Sequence, residues 1–122
     1  MVDNSQRKRP YFRGAFYIQK YIKEVVKLQA TRFGDADSGH DACPGTALVS
    51  ASVDVIINGK GAGRVGDSYA PHGCIVHPTH TAHIASGSRT VFINGRPAAR
   101  VGDSIDCGGS VAVGSPDVII GG

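Results

Sequence analysis

The residues best suited to bind metals or act as nucleophiles are concentrated in one part of this 122-residue chain. All five histidines and all three cysteines lie between residues 40 and 107. Three cysteines cannot all pair within one chain, and their mixture with histidines favours metal binding over a disulfide framework. A small body with a thin core commonly needs such a staple, so the pattern indicates a structural metal site.

The same residue types can also support catalysis. A histidine can activate a cysteine thiolate in a thiol hydrolase, and a metal with an open coordination position can activate water. The sequence contains no nucleophile elbow, HExxH motif or oxyanion loop, and neither repeat has a phosphate-binding glycine pattern. We therefore predict that the chain is not an enzyme, with a small metal-dependent hydrolase as the catalytic alternative.

The elements that must position these residues are repeats. Residues 57–67 are matched 36 positions later by residues 93–103, and a shortened third copy occupies residues 117–122. Each full copy has a short apolar run, an Asn-Gly pair, a few small residues and then Arg-Val-Gly-Asp. Asn-Gly indicates a tight hairpin and Gly-Asp a second turn, which leaves no room for a helix. We expect an all-β body of short hairpins in which Asp67 and Asp103 bond nearby backbone N–H groups and Arg64 and Arg100 brace the turns.

Composition and charge agree with a small β body that carries a basic appendage. The 17 glycines are scattered among valines and isoleucines, and tryptophan is absent. The net charge of +3 divides into +6 over residues 1–32, from eight Lys/Arg and two acidic residues, and −3 over residues 33–122, from five Lys/Arg and eight Asp. No apolar run of about 18 residues and no secretory signal are present, so we expect neither a membrane span nor signal-peptide export.

We predict two regions, a basic N-terminal extension over residues 1–37 and the repeat domain over residues 38–122. Residues 15–29 have apolar side chains near helical spacing, which favours a short amphipathic helix, with a strand pair as the alternative. Residues 34–39 are typical of a linker. The basic and aromatic residues of the extension permit contact with nucleic acid or an anionic membrane. We favour docking on a partner protein, with a dispensable solvated tail as the alternative, and we disfavour nucleic acid.

One repeat carries the signature of a known family. Pro-Ala-Ala-Arg at residues 97–100, between Asn94-Gly95 and Val-Gly-Asp, resembles the motif of the PAAR-repeat proteins. The likeness extends over residues 38–122, although the first copy has Gly-Ala-Gly-Arg at residues 61–64. It implies a small β-cone of short hairpins with pseudo-three-fold repeats. Such a cone caps the trimeric β-helical spike of a contractile injection machine, a type VI secretion system or a contractile phage tail, and helps to pierce the target envelope.

The resemblance also implies a metal near the apex of the cone, zinc in preference to iron, held by three histidines and one cysteine. Matched by position, the ligands are His40, His72, His80 and Cys107. His77 and His83 are the alternatives to His80. A His₃Cys set suits a structural zinc site that is closed to water. Cys43 and Cys74 are then surplus, and a disulfide between them and a metal site with two cysteines both remain open.

The implied partner is a trimeric spike protein, VgrG-like or a phage tail spike or hub, with transient contact to the target membrane. A baseplate or effector protein can bind through residues 1–37, and the alternative function is a toxin adaptor on a type VI secretion spike. The implied location is a phage tail tip, or the bacterial cytoplasm before ejection into the target envelope. Because the third repeat copy ends the sequence, we expect no effector domain.

Overall fold

In the computed structural model, residues 28–40, 43–74 and 77–122 are described. Within them six short strands form three antiparallel hairpins: β1 (Ile56–Ile57) with β2 (Lys60–Gly61), β3 (His72–Cys74) with β4 (His77–His80), and β5 (Phe92–Ile93) with β6 (Arg96–Pro97). Isolated antiparallel bridges join the intervening segments. The described part contains no helix, which confirms the predicted all-β fold of short hairpins, consistent with a small β-cone. No described helix is long and apolar enough to cross a membrane.

Both Asn-Gly pairs form the predicted tight turns. Asn58 and Gly59 have φ angles of 53° and 79°, and Asn94-Gly95 repeats them with 55° and 77°. Ile57 pairs with Lys60 across the first turn, so the loop contains two residues. Two successive residues in the left-handed region are characteristic of the type I′ turn, whose twist matches that of the flanking strands.

A second turn recurs at each corner of the body. The Asp67 N–H donates to the Arg64 carbonyl over 3.0 Å, and Gly66 between them has a φ of 91°. The Asp67 carboxylate accepts from the backbone N–H of Arg64 at 2.8 Å and from its Nε and Nη2 at 2.9 Å. Arg100 and Asp103 repeat these contacts. Arginine and aspartate therefore brace the turns as predicted.

A third copy of this corner lies at residues 32–35, with the sequence Arg-Phe-Gly-Asp. Arg32 Nε lies 2.9 Å from Asp35 Oδ2, and Gly34 has a φ of 88°. The sequence analysis predicts that residues 28–37 belong to the N-terminal extension and that residues 34–39 form a linker. In the structure this segment is part of the β body, because its backbone pairs with the repeats and its aspartates are buried.

The third repeat is divided between two distant parts of the chain. Gln29 pairs with Ile119, and the Ile120 N–H donates to the Leu28 carbonyl at 2.9 Å. Residues 117–122 and 28–35 together therefore supply the strand and the corner that each full copy holds in one stretch. The helix predicted over residues 15–29 lies outside the described residues except for Leu28 and Gln29, which form a turn and a bridge.

The corner arginines also connect each repeat to the next. Each Nη1 donates over 2.9–3.1 Å to an oxygen of the following repeat. Arg32 and Arg64 reach Oδ1 of Asn58 and Asn94 at the hairpin tips, and Arg100 reaches the carbonyl of Gly121, which has the equivalent position in the third repeat. In the third repeat a backbone carbonyl thus replaces the asparagine side chain. The three links form a closed ring around the body.

The core consists of two apolar clusters in which equivalent residues of the repeats meet. The first, here the lower cluster, contains Ile57, Ile93 and Ile120 with Ala30, Ala62 and Ala98. The second, here the upper cluster, contains Leu48, Tyr69, Ala82, Ile84, Ala99, Ile105 and Val111. The lower cluster thus brings together three isoleucines and three alanines from equivalent repeat positions, as expected from the repeats.

We expect the substitution Asp67→Ala to lower the free energy of unfolding by about 3–5 kcal/mol, because it leaves the largely buried Arg64 guanidinium without its carboxylate. Asp67 is 1% exposed and also accepts from Arg96 Nη2 at 2.8 Å. The matched control is Asp54→Ala, since Asp54 is exposed and accepts only a surface bond from the Asn94 amide. Its loss should stay below about 1 kcal/mol. Urea unfolding measures both variants, and equal losses would contradict the bracing role.

Candidate metal centre

One hairpin and two loops bring the predicted ligands together. His72 and His80 face each other across the hairpin formed by β3 and β4. His40 lies on a loop closed by a bridge to Cys43, and Cys107 lies in a turn where the Gly108 N–H donates to the Ile105 carbonyl at 3.0 Å. The four residues therefore come from segments that are separated by 27 to 67 positions, apart from the two in the hairpin.

Local backbone constraints shape the His40 loop. Gly39 has a φ of 71°, and a side chain there would collide with the Cys43 carbonyl, so glycine is required before His40. The buried Asp37 anchors both sides of the loop: its Oδ1 accepts from the Gly39 N–H at 3.2 Å and from the Thr46 N–H at 2.8 Å. Sequence reasoning missed Asp37, and its only signal was a lone aspartate two residues before Gly-His.

The three histidine rings converge through their Nε2 atoms. The Nε2–Nε2 distances are 3.1 Å for His40–His72, 3.1 Å for His40–His80 and 3.0 Å for His72–His80. One ligand atom from each histidine and from Cys107 lies within 4.8 Å of the others. Tetrahedral zinc with the usual Zn–N and Zn–S bond lengths separates its ligand atoms by about 3.3–3.6 Å. The spacing of this cluster is compatible with that of a metal site.

The orientation and burial of the histidine rings are also compatible with binding of one shared metal ion. The ring centroids lie 4.5–5.1 Å apart with interplanar angles of 39° to 84°, so the rings are tilted against one another and are not stacked in parallel. His80 Nδ1 lies 2.9 Å from the Pro78 carbonyl. A proton on Nδ1 satisfies that carbonyl and leaves the Nε2 lone pair directed at the cluster. His72 is buried, whereas the other three residues are partly exposed.

The remaining histidines and cysteines are arranged differently. His83 lies outside the cluster, where its Nδ1 is 3.1 Å from Asp106 Oδ2 in a half-exposed pair. His77 begins β4. Cys43 and Cys74 form a disulfide, one of the two arrangements that the sequence left open, and Cys107 is a free thiol.

The cluster formed by His40, His72, His80 and Cys107 adjoins the upper cluster of the core, because Cys107 packs against the upper cluster. Within that cluster Tyr69 is fully buried, and burial together with nearby aspartates raises the pKa of its phenol. Tyr69 therefore stays neutral at physiological pH. Cys107 thus joins the four-residue site to a layer made of apolar side chains and a neutral tyrosine.

Comparison with known proteins agrees with the architecture and the site. A sequence description of the PAAR motif matches residues 38–113 and again residues 79–122. A comparison with curated proteins gives no match. The matched region contains both Asn-Gly hairpins, the corner turns that follow them and all four clustered residues. The chain therefore belongs to the PAAR-motif family, the structural spike-tip proteins of contractile injection systems.

Proposed function

We propose that this protein is a metal-stabilised tip that caps the trimeric spike of a contractile injection machine and helps to pierce the target envelope. The observation that supports the proposal is the convergence of His40, His72, His80 and Cys107 on one small volume. A single ion held there ties three segments that lie far apart in the sequence. The family places such a protein on a VgrG-like spike.

The donor set favours zinc and a structural role. Three imidazole nitrogens and one thiolate fill all four positions of a tetrahedral zinc ion, so none is left for water or a substrate. Zinc is also redox-inert, which suits a purely structural site better than iron does. The arrangement therefore supports a closed staple and offers no support for metal-dependent hydrolysis.

The staple would connect three segments of the chain that lie far apart in the sequence. Structural zinc contributes on the order of 10 kcal/mol to the folding of small domains. Here it would fix the His40 loop, the hairpin of β3 and β4, and the turn at Cys107 against the upper cluster. A rigid tip concentrates the force of the driven spike on a small area of the target envelope, and this is the mechanical role that we assign to the site.

A second surface supports docking on a three-fold partner. Ile56, Phe92 and Ile119 occupy equivalent repeat positions and are 56%, 56% and 45% exposed. They precede the buried isoleucines of the lower cluster, as expected where alternate strand residues face opposite sides. We name these three residues the apolar trio. Because the metal cluster adjoins the upper cluster instead, we assign the trio to the base of the tip.

The symmetry of the apolar trio indicates its partner. A single chain on a trimeric spike must present three similar contacts, and three similar apolar side chains at pseudo-three-fold positions meet that requirement. Exposed apolar surface of this kind commonly marks a protein interface. We therefore infer that the trio docks on the blunt end of the spike.

The N-terminal extension is assigned to the same partner or to a neighbouring baseplate protein. The described chain begins at Leu28, whose carbonyl accepts from the Ile120 N–H next to Ile119 of the trio. Residues 1–27 therefore join the body beside the proposed docking surface. Their seven Lys/Arg, two acidic residues and interleaved aromatic residues suit a contact with an acidic protein surface.

We expect wild-type protein to contain about one zinc ion per chain. After dialysis against a chelator, His80→Ala should retain less zinc than wild type, because only three protein ligands remain and water must take the fourth position. His83→Ala is the matched control, since His83 pairs with Asp106 outside the cluster, and it should keep its zinc. Elemental analysis of the purified proteins measures both. Wild-type protein without stoichiometric zinc or iron would overturn the metal centre, and zinc loss in His83→Ala alone would overturn its ligand set.

We expect Phe92→Asp to weaken binding to the purified spike trimer by at least about tenfold, since it places a charge in the centre of an apolar contact. Val49→Asp is the control, because Val49 is similarly exposed at 47% but follows Leu48 of the upper cluster. Titration calorimetry gives the affinities, and zinc content verifies that both variants are folded. Equal affinity of Phe92→Asp and wild type would exclude the trio as the docking surface.

Deletion of residues 1–27 should weaken association with the spike or baseplate while leaving the zinc content unchanged. The deletion ends before Leu28 because the following residues pair with the third repeat. Co-sedimentation with assembled particles measures the association. Unchanged assembly of the truncated protein would remove the docking role of the extension.

A further inference from the structure

A disulfide joins two of the elements that carry the clustered ligands. Cys43 and Cys74 are bonded, with a Cα–Cα distance of 5.2 Å and a sequence separation of 31. His40 and Cys43 exchange two backbone hydrogen bonds of 3.1 and 2.8 Å. Cys74 ends the strand β3 that begins with His72. The disulfide therefore ties the His40 loop to the hairpin of His72 and His80, which are the same two elements that a bound metal would tie.

Besides the approach of the histidine rings, two hydrogen bonds join the chain after Cys43 to the chain before β3. The Thr46 hydroxyl donates to the Ala70 carbonyl at 2.7 Å, and the Ala70 N–H donates to the Ala47 carbonyl at 2.9 Å. These bonds fix the chain before β3 and after Cys43. The disulfide lies closer to the ligands along the chain than these two hydrogen bonds do on the loop side. Cys43 is three residues from His40, and Cys74 is two residues from His72.

We propose that Cys43 and Cys74 form a redox-controlled latch on the metal centre, an inference that rests on the proposed metal site. When the disulfide is formed, the His40 loop is held against the hairpin, and less conformational freedom is lost when the metal binds. When it is reduced, the covalent tie between the His40 loop and the hairpin is lost, and the affinity for zinc falls. The latch thus sets how tightly the tip retains its metal.

The geometry also indicates how the latch opens. Cys43 is 3% exposed whereas Cys74 is half-buried, so an external thiolate attacks Sγ of Cys74. The disulfide bond breaks, Cys43 leaves as a thiolate and takes up a proton, and a second thiol of the reductant displaces Cys74 to form the reductant's own disulfide. Closure is the reverse reaction, in which a disulfide oxidant such as oxidised glutathione accepts the two electrons. The latch is open under the reducing conditions of a cytoplasm and closes in an oxidising compartment.

Linkage makes the coupling reciprocal. If the disulfide raises the zinc affinity by some factor, bound zinc raises the equilibrium constant for disulfide formation by the same factor. In metal-free protein that stays folded with and without the disulfide, a disulfide that merely stabilised the fold, without ordering the ligands, would leave both constants unchanged. Under that condition the two measurements test the latch independently of the overall stability of the protein.

The test compares the zinc affinity of oxidised and reduced full-length protein against a competing chelator. A phosphine is the reductant because it adds no thiol that binds zinc, and thiol counts on the denatured metal-free protein should give about one thiol before reduction and about three after it. We expect reduction to weaken zinc binding by about 5- to 150-fold, the usual range of coupling between sites. The double variant Cys43→Ser/Cys74→Ser should show the reduced affinity with and without phosphine. Exchange with glutathione should then differ between zinc-loaded and metal-free wild type by the same factor.

Each other outcome overturns the latch in a distinguishable way. Equal zinc affinity in the oxidised and reduced protein overturns the latch but leaves the metal centre intact. Tighter binding after reduction overturns it by placing Cys43 and Cys74 among the ligands. If the oxidised wild type binds no zinc, the metal centre and the latch fail together.

Discussion

The closed ring of arginine–aspartate corners is the constraint on which the rest of the structure depends. Each arginine bonds its own turn through an aspartate and reaches an oxygen of the next repeat. A buried guanidinium is stable only when its charge is paired and its donors are satisfied, so each corner requires both the turn and the neighbouring repeat. Since each link joins one repeat to the next and the third link returns to the Gly121 carbonyl, the ring is complete only when all three repeats are in place.

This requirement explains which parts of the fold the sequence can predict. The Asn-Gly turns and the Arg-Val-Gly-Asp corners depend on a few adjacent residues, and both are recognisable locally. The corner at residues 32–35 was missed because phenylalanine replaces valine there and because its strand lies at residues 117–120. Ala30 pairs with Arg100, which lies 70 positions later in the sequence. A pairing between residues so far apart cannot be predicted from a local sequence pattern.

The candidate site shows the same division between local and long-range information. The residues alone indicated a metal site, whereas the choice of His40, His72, His80 and Cys107 came from the family likeness. Register explains why spacing was insufficient: His72 faces His80, but Cys74 faces His77, so the hairpin contains an irregularity that alternation does not predict. The Cys43–Cys74 disulfide likewise depends on how the His40 loop packs against the end of β3.

The molecule thus combines a body with three similar repeats and a His/Cys cluster that follows no such symmetry. We assign the equivalent apolar residues of the repeats to the base, and we propose that the segments between the repeats supply the metal ligands. The central claim is tested most directly by a crystal structure with anomalous diffraction at the zinc edge. The account predicts one anomalous peak, which marks a zinc ion bonded to three histidine Nε2 atoms and to Cys107 Sγ at about 2.0–2.3 Å. A structure without that peak, or with a water molecule as a ligand, would contradict it.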